Sequence, residues 1–479
     1  MKFSIVNHKT LKFYLLGGLI TLLILYFILA VHVPAVKMRV FIFAVWIFGE
    51  IYLWMNILSA FQNTWKKKIY FYSLLVLYWL PACLIGITMF FLATKGMHQL
   101  NKTVYLTVVG ICVIQYLIKF LLFILVLLFD VLTICFRKLC NITKGKRILL
   151  RILLGVYVAA FVLMIYGTIW GADDFIIRKI DVNVRHDRNS LISASERHCE
   201  QSEAIKSVNF NRLLQANAFA MTTRQTFETT PTNFNIKIVH ISDLHLACWR
   251  NPESVEKVVN IVNEQQPDLI FFTGDLVQFV SDEMVEYMPV LSQLKAKIGI
   301  FSVLGNHDYG RYSRFKTDSL RKEDVFRLVL YQTLLGWTVL NNESVKLYED
   351  SVPLGITIAG VEYYSPKKMF INEGDLSKTF QKVDTNDFVI FLSHDPQAWY
   401  DVIHKNLPAN LTLSGHTHGM QLGIYSEKLK FSPASILYKQ WGGLYEKQGK
   451  LLYVNVGLGS VGFPARVGMP PEITLITLH

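Results

Sequence analysis

Five apolar runs fill the first 170 residues of the chain: about Leu11 to Val31, Val40 to Phe61, Ile69 to Ala93, Val104 to Cys135 and Ile148 to Ile169. Each is near or above the ~20 residues needed to cross about 30 Å of hydrocarbon at about 1.5 Å per residue. Five such runs in succession leave no polar face for water, which argues against a string of soluble core helices. The expectation is an N-terminal α-helical membrane bundle over residues 1–170, multi-pass and embedded in the lipid bilayer. Basic residues in the short gaps set its direction. Lys2, Lys9 and Lys12 are followed, after the second run, by Lys66, Lys67 and Lys68, and after the fourth by Arg137, Lys138, Lys144, Lys146 and Arg147. The intervening gaps carry only Lys37 with Arg39, and Lys95 with Lys102. The N-terminus is therefore expected in the cytoplasm and, with five spans, the remainder of the chain outside it. The first run lacks a small-residue cleavage site and reads as an anchor. Glu50, Lys119 and Asp130 fall inside the runs. Intramembrane ionisable groups are candidate functional sites, but the simpler expectation is that these lie near the interface or pair within the bundle.

Composition agrees with this division. Of 479 residues 52% are apolar and 18% charged, with a mean hydropathy of +0.33, and the apolar excess lies before about residue 170. The formal net charge is +12. Its Lys and Arg cluster between the apolar runs, and the later half shows no basic, aromatic-rich stripe, so no nucleic acid is expected as a partner. The six cysteines form no CxxC pair, which excludes a zinc-finger spacing and gives no disulfide framework.

Residues 171–231 read as a linker. The alternating run Ile176–Val184 looks like a strand, and about 186–231 is polar, aperiodic and expected to be a disordered insert. Its stretch "SERHCEQSEAI" to "NRLLQANAFAMT" resembles translated palindromic repeat elements inserted in frame in some bacterial genes, so His198 and Cys199 are not read as ligands. The runs flanking it, Ile176–Val184 and Ile236–Ser242, are expected to pair as neighbouring strands.

From residue 232 to 479 the pattern is α/β. "IKIVHIS" is a buried-strand run that ends in Asp243 and His245. Val255, Val258, Val259 and Val262 mark an amphipathic helix from Pro252 to Glu264. "DLIFFTGD" ends in Asp275, "IGIFSVLGNHD" in Asn306, His307 and Asp308, "FVIFLSHD" in His394, and "LTLSGHTH" in His416 and His418. Five apolar runs thus each close on residues able to bind metal or move protons. Sites in α/β proteins form at the carboxyl ends of strands. Asp395 is read as supporting or structural, Cys248 as packing, and His240, His404 and His479 as structural or exposed.

"DLH", "GD", "GNHD", "SHD" and "GHTH", in this order, resemble the motifs of calcineurin-like metallophosphoesterases over about residues 236–479. The ending "YVNVGLGSVGFPARVGMPPEITLITL" looks like the YkuE-like branch, which includes membrane-anchored members, and the apolar half resembles in layout the transmembrane proteins with a metallophosphoesterase domain. The resemblance implies a four-layer α/β/β/α sandwich and two divalent metal ions. Asp243, His245 and His418 would hold one, Asn306, His394 and His416 the other, and Asp275 would bridge them. Two such ions clamp a phosphoryl group and activate a bridging water or hydroxide as nucleophile. The N/O donors suit Mn, Fe or Zn. His307 would protonate the leaving oxygen, with Asp308 as its orienting partner, and Arg466 would clamp substrate phosphate with two hydrogen bonds.

The expected activity is hydrolysis of a phosphoester, phosphodiester or pyrophosphate bond in a phosphorylated substrate. An anchored enzyme points to a lipid-linked one, at a bacterial inner membrane with the catalytic domain outside the cytoplasm. The alternative is a membrane sensor or transporter with a regulatory metal domain. Sequence leaves substrate, metal identity and oligomeric state open.

Overall fold

The structure is a computed structural model. It describes residues 48–57, 72–73, 75–76, 78–80, 83–84, 102–135, 142–184, 235–313, 315–366, 372–426, 428–462 and 465–479. The first expected span and the insert at about 186–231 lie outside the described residues, as do large parts of the second and third spans. The chain divides into two compact units, Met1–Ile165 and Tyr166–His479.

In the first unit, the fourth and fifth apolar runs form α1 (Lys102–Cys135) and α2 (Ile142–Tyr166). Tyr52, Leu53 and Ile57 share a core with Tyr78, with Leu122, Phe123 and Val126 of α1 and with Leu150 and Tyr157 of α2. The ionisable residues are paired inside it. Lys119 Nζ donates to Glu50 Oε2 at 3.2 Å and to the Tyr78 carbonyl at 2.7 Å, and the Tyr52 hydroxyl donates to Asp130 Oδ2 at 2.5 Å. Such pairing is what a low-dielectric interior requires of a charge. Among the described residues, one stretch is long and apolar enough to cross a membrane, Ile148–Gly171. Only 17% of its apolar window is buried, and Ile148, Ile152 and Val156 stand exposed one turn apart, unlike a soluble core helix.

The second unit is built on two six-stranded sheets. In chain order its elements are β1 (Ile176–Val182), β2 (Ile236–Ile241), α3 (Pro252–Glu264), β3 (Leu269–Phe272), α4 (Glu283–Leu291), β4 (Gly299–Ser302), α5 (Asp318–Leu334), β5 (Thr338–Val339), β6 (Glu343–Glu349), β7 (Val352–Gly360), α6 (Leu376–Phe380), β8 (Phe388–Leu392), α7 (Ala398–His404), β9 (Leu411–Ser414), β10 (Ile424–Tyr425), β11 (Lys430–Phe431), β12 (Gly443–Lys447), β13 (Lys450–Val454) and β14 (Glu472–Leu478). One sheet runs β1-β14-β2-β3-β4-β5 and the other β12-β13-β9-β8-β7-β6, while β10 and β11 pair apart as a short hairpin.

Apolar side chains of both sheets meet in one core: Ile238, Phe271 and Phe301 from the first, Ile358, Ile390 and Leu413 from the second. Helices α3, α4 and α5 cover the outer face of the first sheet and α6 and α7 that of the second. This is the α/β/β/α layering. Helix α3 has the expected bounds, is capped by the Asn251 side chain accepting from Ser254 N, and buries Val255, Val258, Val259 and Val262.

The expected pairing of the strands flanking the insert is corrected. Strand β14 lies between them, parallel to β1 and antiparallel to β2. Burial gives the reason. Six of the seven β14 residues are buried and need neighbours on both sides, whereas β1 alternates exposed and covered residues and suits an edge. Strand β1 thus belongs to the α/β unit rather than to a linker.

Candidate metal centre

Strands β2, β3 and β4 are parallel neighbours in one sheet, and β8 and β9 in the other. The residues that follow them bring Asp243, His245 and Asp275 from the first sheet together with His394, His416 and His418 from the second. Asn306 directly precedes His307, whose N–H donates to Asp275 Oδ1. Three trios have donor atoms mutually within 4.8 Å: Asp243, His245 and His418; His245, Asp275 and His307; Asp275, His394 and His416.

The contacts are specific. His245 Nε2 and His418 Nε2 face each other at 3.0 Å, and Asp243 Oδ1 is 3.1 Å from His418 Nε2. His394 Nε2 lies 3.2 Å from His416 Nδ1 and 3.0 Å from Asp275 Oδ2. That same Asp275 oxygen is 3.6 Å from His245 Nε2, so one carboxylate stands against both histidine pairs.

Local backbone is held in an uncommon state to achieve this. Asp243, His245, Asp275, His416 and His418 all have positive φ, between 47° and 73°. For side chains with a Cβ this costs about 1 kcal/mol or more apiece, and such strain concentrates at functional sites. The carboxylates also organise the turns. Asp275 Oδ1 accepts from His307 N at 2.8 Å, and Asp243 accepts from His416 N at 3.0 Å. Glycine is required where the turns close in: a Cβ on Gly305 would meet Asp275 Oδ1 at 2.1 Å, and one on Gly415 would meet Asp243 Oδ2 at 2.1 Å.

The donors are dry. Asp243, His245 and His394 are fully buried and Asp275 nearly so. Burial pushes His245 well down and His416 down to about 4, favouring the neutral imidazole that binds a cation. Burial opposes charge on His394 as well, but the Asp275 and Asp243 carboxylates outweigh it and raise it to about 10. Burial would raise Asp275, yet His394 and His307 hold it well below the usual carboxylate range.

Orphaned atoms supply the test of fit. Asn306 Oδ1 is buried and has no hydrogen-bond partner, whereas its Nδ2 donates to the Tyr312 hydroxyl at 2.9 Å. A buried lone-pair oxygen without a donor is costly in a native structure unless a cation or water completes it. With two carboxylates, four imidazoles and this amide oxygen, the donor set fits divalent metal.

Several supports were not legible in the motifs. The Thr273 carbonyl accepts from His394 Nδ1 at 2.6 Å, directing Nε2 inward, and the Tyr438 hydroxyl is 2.9 Å from His416 Nε2. Tyr312 stacks on His307 at 4.1 Å. Its position six residues after Asn306 was the only hint, and Tyr438 sits in no motif. Beside Tyr438 opens a cavity of about 410 Å³ lined by Pro396, Gln397, Tyr400, Leu437 and Gln440.

Two expectations are corrected. Asp308 does not orient His307. Its oxygens accept from the backbone N–H of Asp275, Leu276, Val277 and Gly305, which locks the turn carrying Asp275. Burial and the Asp275 carboxylate push Asp308 up to about 7. His307 is oriented instead by Nδ1 donating to the Gln278 carbonyl at 2.8 Å. Arg466 is not placed as a phosphate clamp. It is 1% exposed, and it donates to the carbonyls of Val456, Gly459 and Met469.

The other expectations are met as packing. Asp395 accepts from Ser365 Oγ and Gln397 N, Cys248 is buried, His240 is buried against Thr273 Oγ1, and His479 is exposed beside Asp181.

A family model for calcineurin-like phosphoesterases matches residues 236–420. The chain is 32% identical over 268 residues to the uncharacterized metallophosphoesterase YkuE of Bacillus subtilis, covering 54% of this chain and 85% of that protein. It is 30% identical over 256 residues to an uncharacterized metallophosphoesterase of Aquifex aeolicus, covering 52% and 88%. It is 28% identical over 256 residues to the transmembrane protein with metallophosphoesterase domain of Danio rerio, covering 52% and 55%. That name and the apolar helix Ile148–Gly171 together suggest membrane association. Relatives of 30% identity or more, matched over most of their own length, together with the family match over 236–420, establish that this chain belongs to the calcineurin-like metallophosphoesterases and is a metal-dependent phosphoesterase.

Proposed function

We propose that the chain is a membrane-anchored phosphohydrolase in which two divalent ions are held by seven residues. Asp243, His245 and His418 hold one ion, Asn306, His394 and His416 the other, and Asp275 serves both. The observation that carries this reading is the position of Asp275 Oδ2, 3.0 Å from His394 Nε2 and 3.6 Å from His245 Nε2. When bound, such a pair of ions neutralises phosphoryl charge and activates water for in-line attack. The nitrogen and oxygen donors, with no thiolate, favour Mn, Fe or Zn.

The chain's own residues supply the rest. Carbonyls behind His394 and His307 fix the ring orientations. With Nδ1 of His307 tied to Gln278, its Nε2 is left to give a proton to the departing oxygen. Asp308 keeps the Asp275 turn in its left-handed state by capping four N–H groups. Burial of the donors excludes bulk water and strengthens every interaction with the phosphoryl oxygens.

The substrate is a phosphodiester or pyrophosphate that is lipid-linked, met where a multi-span N-terminal bundle holds the site at an inner-membrane surface outside the cytoplasm. Support comes from the apolar helix Ile148–Gly171 and from the open cavity beside Tyr438, which has room for more than phosphate. The test is turnover by the full chain of a lipid diphosphate in vesicles beside bis-p-nitrophenyl phosphate in solution. Turnover of neither by metal-loaded protein would remove the reading.

A further inference from the structure

The short hairpin after the last histidine motif has an unusual surface. Ile424 of β10 and Phe431 of β11 are direct cross-strand partners, so they share a face, and Leu422 and Leu429, two residues from each, continue it. These four are 48–62% exposed, and Ile436, just beyond, is 83% exposed with Leu437 beside it at 55%. The opposite face is ordinary core: Tyr425 is buried with Trp441, Val456 and Met469. Soluble surfaces seldom expose so many large apolar side chains within one short segment of chain.

The hairpin is tied to the end of the membrane-crossing stretch. That stretch finishes in a π-helical turn, Gly167–Gly171, within the second unit. The Gly167 carbonyl accepts from Arg466 N at 3.0 Å, and a Cβ on Gly167 would meet Val467 Cγ2 at 2.6 Å. Val467 in turn bridges Leu422: Gly423 N donates to the Val467 carbonyl at 3.0 Å and Val467 N to the Gln421 carbonyl at 2.8 Å. The root of the hairpin is therefore one residue pair away from the last turn of the apolar stretch. Tyr166 and Trp170 stack there at 5.8 Å, both about half exposed, the amphipathic aromatic pair expected at a headgroup boundary. Arg178 fixes the hairpin from behind, its guanidinium 3.8 Å above the Tyr425 ring. Charge fits as well: residues 420–440 contain Lys428, Lys430 and Lys439 against the single acid Glu427, and basic residues around an apolar face suit anionic lipid.

We propose that the face formed by Leu422, Ile424, Leu429, Phe431, Ile436 and Leu437 lies in the interfacial layer of the bilayer that Ile148–Gly171 crosses. Leu437 also lines the cavity beside Tyr438, and Tyr438 touches His416. The apolar face, the cavity and the candidate metal centre thus form one continuous path from acyl chains to the reacting phosphate. The inference rests on the membrane-anchored reading above.

Its test uses the full chain reconstituted in anionic phospholipid vesicles with a photoactivated carbene reagent dissolved in the acyl region, mapped by peptide mass spectrometry. Peptides spanning 420–437 should carry label within about threefold of the peptide from 148–165, and at least about tenfold above the peptide holding exposed Gln448, at the end of β13 away from the histidines. Phe431→Ser with Ile436→Ser should reduce the label. Labelled 148–165 with 420–437 no higher than the Gln448 peptide overturns the interfacial placement alone. Unlabelled 148–165 overturns the anchored reading and this inference with it. Absence of lipid label combined with cross-links between two copies at Lys428 or Lys430 would assign the face to self-association and also overturn it.

Discussion

Arg466 Nη2 stands 3.3 Å from His418 Nδ1 while its guanidinium donates to three backbone carbonyls. A buried cation so arranged braces the turn behind a candidate ligand, with Nε, Nη1 and Nη2 all donating to backbone carbonyls. Arg466→Met should therefore cost about 2–4 kcal/mol of stability, because three carbonyls lose a charged donor. Metal affinity should fall about tenfold, as when a supporting partner of a ligating histidine is removed. The KM of fully loaded variant should stay within about twofold of wild type. A large rise in KM with unchanged melting temperature and metal content would restore the phosphate-clamp role.

Asp308 and His307 are adjacent yet should fail differently. Asp308→Ala strands three N–H groups in the Asp275 turn and that of Gly305, so thermal unfolding should show a loss of at least about 3 kcal/mol, with weaker metal retention. His307→Ala removes a ring between Tyr312 and His245 and one hydrogen bond to the Gln278 carbonyl, and should lower the unfolding temperature far less.

The proton-donor role of His307 predicts dependence on the leaving group. With an alkyl phosphodiester, whose leaving oxygen needs a proton, His307→Ala should lower kcat by about 10²–10⁴-fold. With p-nitrophenyl esters, which leave readily as anions, the loss should be much smaller. Equal losses on both would assign His307 to metal binding, in line with its place in the trio with His245 and Asp275.

Tyr438→Phe deletes the hydroxyl 2.9 Å from His416 Nε2 and little else. Metal titration of the variant should show the site proposed to hold His416 loosened by about tenfold, with the melting temperature of the metal-free chain nearly unchanged. Unchanged affinity would show that the hydroxyl does not hold the His416 ring.

Much of this was legible because period and position are local properties. The valines of α3 announced their face, and the residues closing β2, β3, β4, β8 and β9 announced the Asp/His clusters, since parallel strands deliver their C-terminal ends to one edge. What was missed depends on partners remote in sequence. Nothing near Ile176 tells that β14, about 300 residues on, separates β1 from β2. An Asp beside a His looks like its partner, yet the backbone turn at Gly305 aims Asp308 at the N–H groups of Asp275 to Val277. Arg466 and Tyr438 meet their histidines only after the loops fold over the sheet edge.

The most direct measurement is metal stoichiometry of the purified full chain, taken with bis-p-nitrophenyl phosphate turnover before and after chelation, for wild type and Asp275→Asn. The account predicts two ions per wild-type chain, turnover lost on chelation and regained with Mn²⁺. Asp275→Asn should bind fewer than two ions and lose about 10³-fold or more in kcat, the several kcal/mol that shared coordination supplies. Full turnover by Asp275→Asn, or no turnover from wild type carrying both ions, would contradict it.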